Sequence, residues 1–340
     1  MTEVLTEVLP ERLRALGGFT GRLDGTDHTK VVVYEAADAA ATRITDFAQW
    51  AEDHRDALME SLDTHGALLV RGVVDNAALL NEVAGRIGGE LLTYTERSTP
   101  RSQVDGNVYT STEYPANQTI VQHNESAYSR NYPRLLFFAS VIAAETGGET
   151  PLADSRSVLD RLPADLVARF RDKGVLYTRC YREGMGLTWQ ESYQTEDRAD
   201  VERYCDANGI EYTWTDDDGL RTRHRRPAVV TDPVSGRESW FNQAHLFHSS
   251  SLPPAARAAL TEMFDEEDMP RGAYFGDGTP ITDEEMKQIN DAFEECVHAF
   301  PWVRGDFLVV KNILVSHGRR PYTGERQTLV AMAGLGGDDA

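Results

Sequence analysis

The feature that most constrains this chain is a train of short apolar runs separated by turn residues. Thr119–Gln122, Leu135–Ala144, Val175–Tyr181, Tyr212–Trp214, Ala228–Thr231, Ser239–Asn242, Phe307–Val310 and Thr328–Met332 all have strand length, and turn-forming residues separate them. Many short strands with few helices between them point to a sandwich or barrel, with helices packed outside it. The helices have readable limits. In residues 44–65, Phe47, Trp50, Ala51, His54, Leu58 and Leu62 fall on one face, and Gly66 ends the run. Gly66–Val73 reads as a short strand. A helix is expected from Asn76 to Ile87, with Asp75 as its N-cap and Gly88–Gly89 as its stop. Further helices are expected over Ser155–Lys173 with a break at Pro163, over Pro254–Asp265, and over Thr282–Phe300 with acidic residues in the first turn.

The expected organisation is a single domain over residues 1–340. Residues 1–90 form a helical and strand flank, and residues 91–333 form the β core. Insertions at 182–224, dotted with Trp and Tyr, and at 265–280, rich in Gly and acids, are either lids over a site or inert additions. At 340 residues, 41% apolar and 26% charged, the chain has the composition of a globular protein. No apolar run reaches the length of a membrane span. The opening MTEVLTEVLPERLRALGG has acids where a secretory signal has a basic segment and an apolar core, so a cytoplasmic protein is expected. The net charge of −21 repels phosphate backbones and argues against nucleic acid as a partner. Cys180, Cys205 and Cys296 form no CxxC pair, which argues against a disulfide framework or a thiolate metal site.

The chemistry-bearing residues come in separate stretches. VQHNESAY, residues 121–128, carries His123 and Glu125 two apart. On a strand these would present an imidazole and a carboxylate side by side, with Asn124 turned away. Ferrous iron in oxygen-activating enzymes takes two histidines and one carboxylate on one face, leaving positions open for other ligands. A second histidine, His317, follows the apolar run near the end of the chain, and Arg319, Arg320 and Arg326 come soon after it. A guanidinium fork suits the far carboxylate of a dicarboxylic cosubstrate. Between the two lies GGET, Gly147–Thr150: its glycines allow close backbone approach, and Thr150 offers a hydroxyl to the same carboxylate. His245 and His248, three apart in FNQAHLFHSS, are read as structural or pocket-lining, since the triad is complete without them. YTSTEYP, Tyr109–Pro115, is polar enough to face a substrate.

HNE at 123–125, GGETPLADSR at 147–156 and HGRRPYTGER at 317–326, in this order, resemble the taurine dioxygenase/clavaminate synthase-like branch of the Fe(II)/2-oxoglutarate-dependent oxygenases. The resemblance spans residues 65–333. It implies a double-stranded β-helix, a jelly roll of the cupin kind, with the metal at its open mouth. It implies Fe(II) held by His123, Glu125 and His317, with 2-oxoglutarate and O2 as cosubstrates. Thr150 and Arg326 would hold the far carboxylate of 2-oxoglutarate, with Arg319 or Arg320 as alternatives to Arg326. Many relatives carry another arginine about four residues further on, where this chain has Val330. The retained Glu125 excludes halogenation, since halogenating relatives have a small residue there. Relatives with HxE often hydroxylate amino acids, free or tethered to a carrier protein, in specialised metabolism, so an amino-acid-like substrate is implied. The same site can also desaturate or cyclise. Two competing readings are a zinc-dependent hydrolase built on the same triad, which leaves GGET and Arg326 unexplained, and a non-catalytic jelly-roll binding protein.

Overall fold

The longest apolar run becomes the middle of the molecule. In the computed structural model, which describes residues 8–37, 46–93, 102–111 and 114–337, Tyr132–Ile142 pairs antiparallel with Phe307–Lys311 on one side and with Gln327–Gly336 on the other. Its alternate side chains enter two different cores. Leu135, Phe137 and Ala139 join Phe307, Val309 and the helix residues Leu80, Val83 and Ile87. Leu136 and Phe138 join Leu308, Val310, Val330 and Met332 on the other face. A strand covered on both faces needs no polar alternation, hence the unbroken LLFFASVIAA. Each fully buried Leu or Phe of this kind contributes about 1.5–3 kcal/mol.

These strands are the centre of a nine-stranded sheet that also takes in Phe19–Gly25, Lys30–Ala36, Ala67–Val70 and Val108–Thr110. Lys30–Ala36 runs parallel to Ala67–Val70, so strands from the first ninety residues extend the same sheet as the core strands. Opposite it lies a three-stranded sheet in the order Leu152–Asp154, Val315–Arg319, Ile120–His123. The two sheets enclose the second core and make the mainly β, helix-flanked jelly roll that the sequence implied. A four-stranded sheet stands beside them, ordered Glu211–Trp214, Leu220–Arg226, Val175–Tyr181, Arg271–Phe275. The stretches 182–224 and 265–280 thus supply three strands of this sheet. The first also packs a small core of its own from Trp189, Val201, Cys205, Ile210 and Leu220.

Several boundaries differ from the sequence reading. The helix expected over 44–65 is two, Phe47–Asp53 and Arg55–His65. They break at His54, whose ring stacks on Trp50 and whose Nδ1 donates to the Trp50 carbonyl. The N-cap of Ala77–Gly88 is Asn76, not Asp75: the Asn76 Oδ1 accepts from the Leu79 backbone N–H. The last helix stops at Cys296, because the chain at His298 leaves to pair with Leu152. The break at Pro163 falls where expected, between Ser155–Arg161 and Ala164–Lys173. Residues 1–7, residues 44–45, and Thr112 and Glu113 of YTSTEYP lie outside the described residues. Among the described residues no helix is long and apolar enough to cross a membrane.

Candidate active site

His317 sits in the middle of the three-stranded sheet, directly opposite His123 on the neighbouring antiparallel strand. Their rings stand 4.4 Å apart. Glu125 reaches them by a route other than strand alternation. The strand ends at His123, and Glu125 lies in the turn that follows, just before Ser126 in the left-handed region at φ 55°. Asn312 holds that turn: its Oδ1 accepts from the Glu125 N–H, and its Nδ2 donates to the carbonyls of Glu125 and Pro133. Gln243 adds a bond to the Asn124 carbonyl.

His123, Glu125 and His317 are the one group of three or more metal-capable side chains found among the described residues, with ligand atoms within 4.8 Å of one another. Glu125 Oε2 lies 4.0 Å from His123 Nε2 and 3.8 Å from His317 Nε2. Two atoms bound at about 2.1 Å to one ion are at most about 4.2 Å apart, so Glu125 is within range to share a divalent cation with each histidine. His123 Nδ1 donates to the Val121 carbonyl at 2.8 Å, which leaves Nε2 as the lone-pair nitrogen. His245 and His248 stay apart from this group. His245 is buried, and its Nε2 donates to the Gln122 carbonyl, bracing the strand just before His123. Burial pushes its pKa down to about 4. His248 bonds the Ile281 carbonyl.

A small cavity adjoins the histidines, lined by Ser111, Phe138, Thr150, Arg319, Arg326 and Val330 among others. Arg326 enters it past GGET. Its Nε donates to the Gly148 carbonyl at 3.0 Å, and its Nη1 reaches Ser111 Oγ at 3.5 Å. Burial, reinforced by the charge of Arg319, lowers its pKa to about 10, so it remains cationic at neutral pH. Gly147 must be glycine: its φ is +68°, and a Cβ there would lie 2.1 Å from the Pro321 carbonyl oxygen. Thr150 is buried and accepts a hydrogen bond from Trp302 Nε1 at 3.1 Å, which fixes its hydroxyl. Arg319 lines the same cavity, but its two Nη atoms donate to the carbonyls of Tyr114, Pro115 and Gln118. Arg320 is exposed.

The chain matches the family described as taurine catabolism dioxygenase TauD, TfdA family, over residues 33–333. It belongs to the TauD/TfdA family. One TauD/TfdA-like relative, the dapdiamide synthesis protein DdaC of Enterobacter agglomerans, is 40% identical over 311 residues, 91% of this chain and 92% of its own length. A clavaminate synthase-like protein of Arabidopsis thaliana is 33% identical over 298 residues, 84% of this chain and 87% of its own. The fold is shared with PvcB from Pseudomonas aeruginosa (TM-score 0.52, 14% identity, 94% of this chain and 92% of that one). It is shared too with AAD-2, solved with Mn(II) and N-oxalylglycine (TM-score 0.52, 14% identity, 92% and 97%). As a TauD/TfdA member the protein is a non-haem Fe(II)-dependent oxygenase that uses 2-oxoglutarate and O2. Membership thereby decides against the zinc hydrolase and the non-catalytic binding protein.

Sequence reasoning missed Asn312 and Trp302 as supports of the site, whereas His245, read as structural or pocket-lining, is buried and structural. Asn312 had a local signal, an Asn in the KNIL break between two apolar runs. Trp302 had none, because its partner Thr150 is distant in sequence.

Proposed function

We propose that this oxygenase hydroxylates an unactivated C–H bond of an amino acid or amino-acid-derived substrate, free or carried on a carrier protein, in specialised metabolism. The observation that carries this reading is the convergence of His123, Glu125 and His317 on one point beside a cavity holding Thr150 and a cationic Arg326. The relative named for dapdiamide synthesis supports the biosynthetic setting. Three buried cysteines, none of them in a disulfide, suit a reducing compartment, and we place the enzyme in the cytoplasm.

In this reading His123 and His317 give the ferrous ion their Nε2 lone pairs, and Glu125 gives it a carboxylate oxygen. Arg326 and Thr150 bind the far carboxylate of 2-oxoglutarate, the guanidinium by paired N–H donors and the threonine by its hydroxyl. Arg326 is favoured over Arg319, whose Nη donors are already committed to backbone carbonyls, and over the exposed Arg320. When bound, iron with 2-oxoglutarate and O2 supplies an oxidant strong enough to take hydrogen from an aliphatic carbon, with succinate and carbon dioxide as coproducts. The protein's own task is orientation: Phe138 backs the His317 ring at 5.2 Å, and the Val121 carbonyl keeps the His123 proton on Nδ1.

The test is anaerobic addition of Fe(II) and 2-oxoglutarate, followed by a screen of the twenty amino acids for succinate release. A weak visible chelate band is expected in the wild type. His317→Ala should lose the band, turnover and iron retention in equilibrium dialysis. Absence of the wild-type band, or full activity in His317→Ala, would overturn the assignment. Mass spectrometry of the product separates hydroxylation, a gain of one oxygen, from desaturation or ring closure, a loss of two hydrogens.

A further inference from the structure

The small cavity beside the histidines contains a hydroxyl that the fold does not use. Ser111, Thr150 and Thr328 all line that cavity. Ser111 Oγ meets Arg326 Nη1, and Thr150 accepts from Trp302. Thr328 is 4% exposed, and among the described residues its Oγ1 has no hydrogen-bond partner. Its cross-strand neighbour Ser140 does not supply one: that residue is fully buried, and its own hydroxyl is also without a partner. A buried hydroxyl left unpaired costs folding free energy, so one that lines a cavity points to a ligand that enters there.

The order of side chains along the wall narrows the ligand. Thr328 and Val330 stand two apart on Gln327–Gly336 and so share a face, and Arg326 comes just before that strand. All three line the cavity. Val330 is paired across the sheet with Phe138, whose ring lies 5.2 Å from the His317 ring. Thr328 belongs to the next pair along, farther from that contact. The register shifts between Gln327 and Thr328, an irregularity of the kind that re-aims side chains beside a site. The wall thus runs from metal-capable imidazoles, through the apolar Phe138–Val330 pair, to a hydroxyl and a guanidinium. A keto acid that chelates at one end, has methylenes in the middle and ends in a carboxylate follows the same order.

The hydroxyl and the guanidinium also agree on what they need. Arg326 carries only donors, and Thr328 has one proton to give. An oxygen with several lone pairs and a negative charge satisfies both, and a carboxylate presents two such oxygens.

We propose that Thr328 is a third contact to the far carboxylate of 2-oxoglutarate, donating its hydroxyl proton beside Arg326 and Thr150, and that this bond selects keto acids that end in an acid. It rests on the reading above, in which Arg326 and Thr150 hold that carboxylate. Bound cosubstrate then pairs a hydroxyl that the ligand-free fold leaves unpaired.

The experiment titrates 2-oxoglutarate into full-length protein loaded anaerobically with Fe(II) and follows the visible chelate band. Thr328→Val keeps the shape of the side chain and removes the hydroxyl, and it should weaken 2-oxoglutarate about tenfold. Thr328→Ser keeps the hydroxyl and should stay within about threefold of the wild type. 2-Oxopentanoate, a keto acid of the same chain length without the far carboxylate, should compete equally well in the wild type and in Thr328→Val. Without ligand, Thr328→Val should melt no lower than the wild type, because an unpaired hydroxyl adds nothing to the fold. Wild-type affinity in Thr328→Val, an equal loss in Thr328→Ser, or an equal loss for both keto acids overturns the proposal and leaves the oxygenase standing. A ligand-free Thr328→Val that melts well below the wild type also overturns it, by showing the hydroxyl satisfied within the fold. A wild-type protein without the band overturns the oxygenase reading and this one together.

Discussion

Arg326 and Arg319 lie close in sequence and in the same cavity, but their partners differ. Arg319 ties three carbonyls of the 114–118 loop, whereas Arg326 makes one firm bond to Gly148 and keeps its outer edge toward the cavity. Arg326→Gln should therefore weaken 2-oxoglutarate binding by about 10- to 100-fold, the equivalent of roughly 1.5–3 kcal/mol for a charge-assisted contact, with little change in melting temperature. Arg319→Gln should do the reverse, lowering the melting temperature with a smaller effect on affinity. Titration of the chelate band and thermal denaturation on both variants check this. The pattern of histidines, glutamate and arginines was legible from residue type and order alone. Which arginine faces the cavity was not, because spacing along a chain says nothing of which carbonyls lie within reach.

At the level of elements, the candidate site depends on a turn more than on a strand. Strand alternation was expected to align His123 with Glu125, but the strand stops at His123, and the Asn312 side chain makes three hydrogen bonds around the turn that carries Glu125. Asn312→Ala should cost about 3 kcal/mol, the sum of lost buried hydrogen bonds and stranded partners, and should weaken iron binding. Chemical denaturation and equilibrium dialysis read the two effects, and unchanged iron affinity would show that the turn holds without it. The strands named from the sequence are present, Val175–Tyr181 to the residue, but Phe19–Gly25, Lys30–Ala36, Leu220–Arg226 and Arg271–Phe275 were not among them. Caps and ends were less legible. Asp75 and Asn76 are both good caps, and the deciding hydrogen bond to Leu79 is three-dimensional information.

At the scale of the whole molecule, pH acts through buried His245. Its folded pKa of about 4 lies below the ordinary 6.5, so between those values the unfolded chain binds a proton that the folded protein excludes. Stability is therefore full above pH 6.5 and falls as pH drops toward 4, by up to about 1.4 kcal/mol per unit. Thermal melts of the metal-free protein from about pH 7 to 4.5 should show a shallower fall in His245→Gln. The jelly roll was legible from strand texture together with the family resemblance. That strands before residue 90 extend the same sheet was not, since strand partnership is non-local. The pairing of His123 with His317 across that architecture has a consequence for the life of the protein in the cell. A ribosome must deliver nearly the whole polypeptide before the third iron-binding group exists, so metal loading follows translation, and a nascent chain is spared the oxidising chemistry its mature form performs.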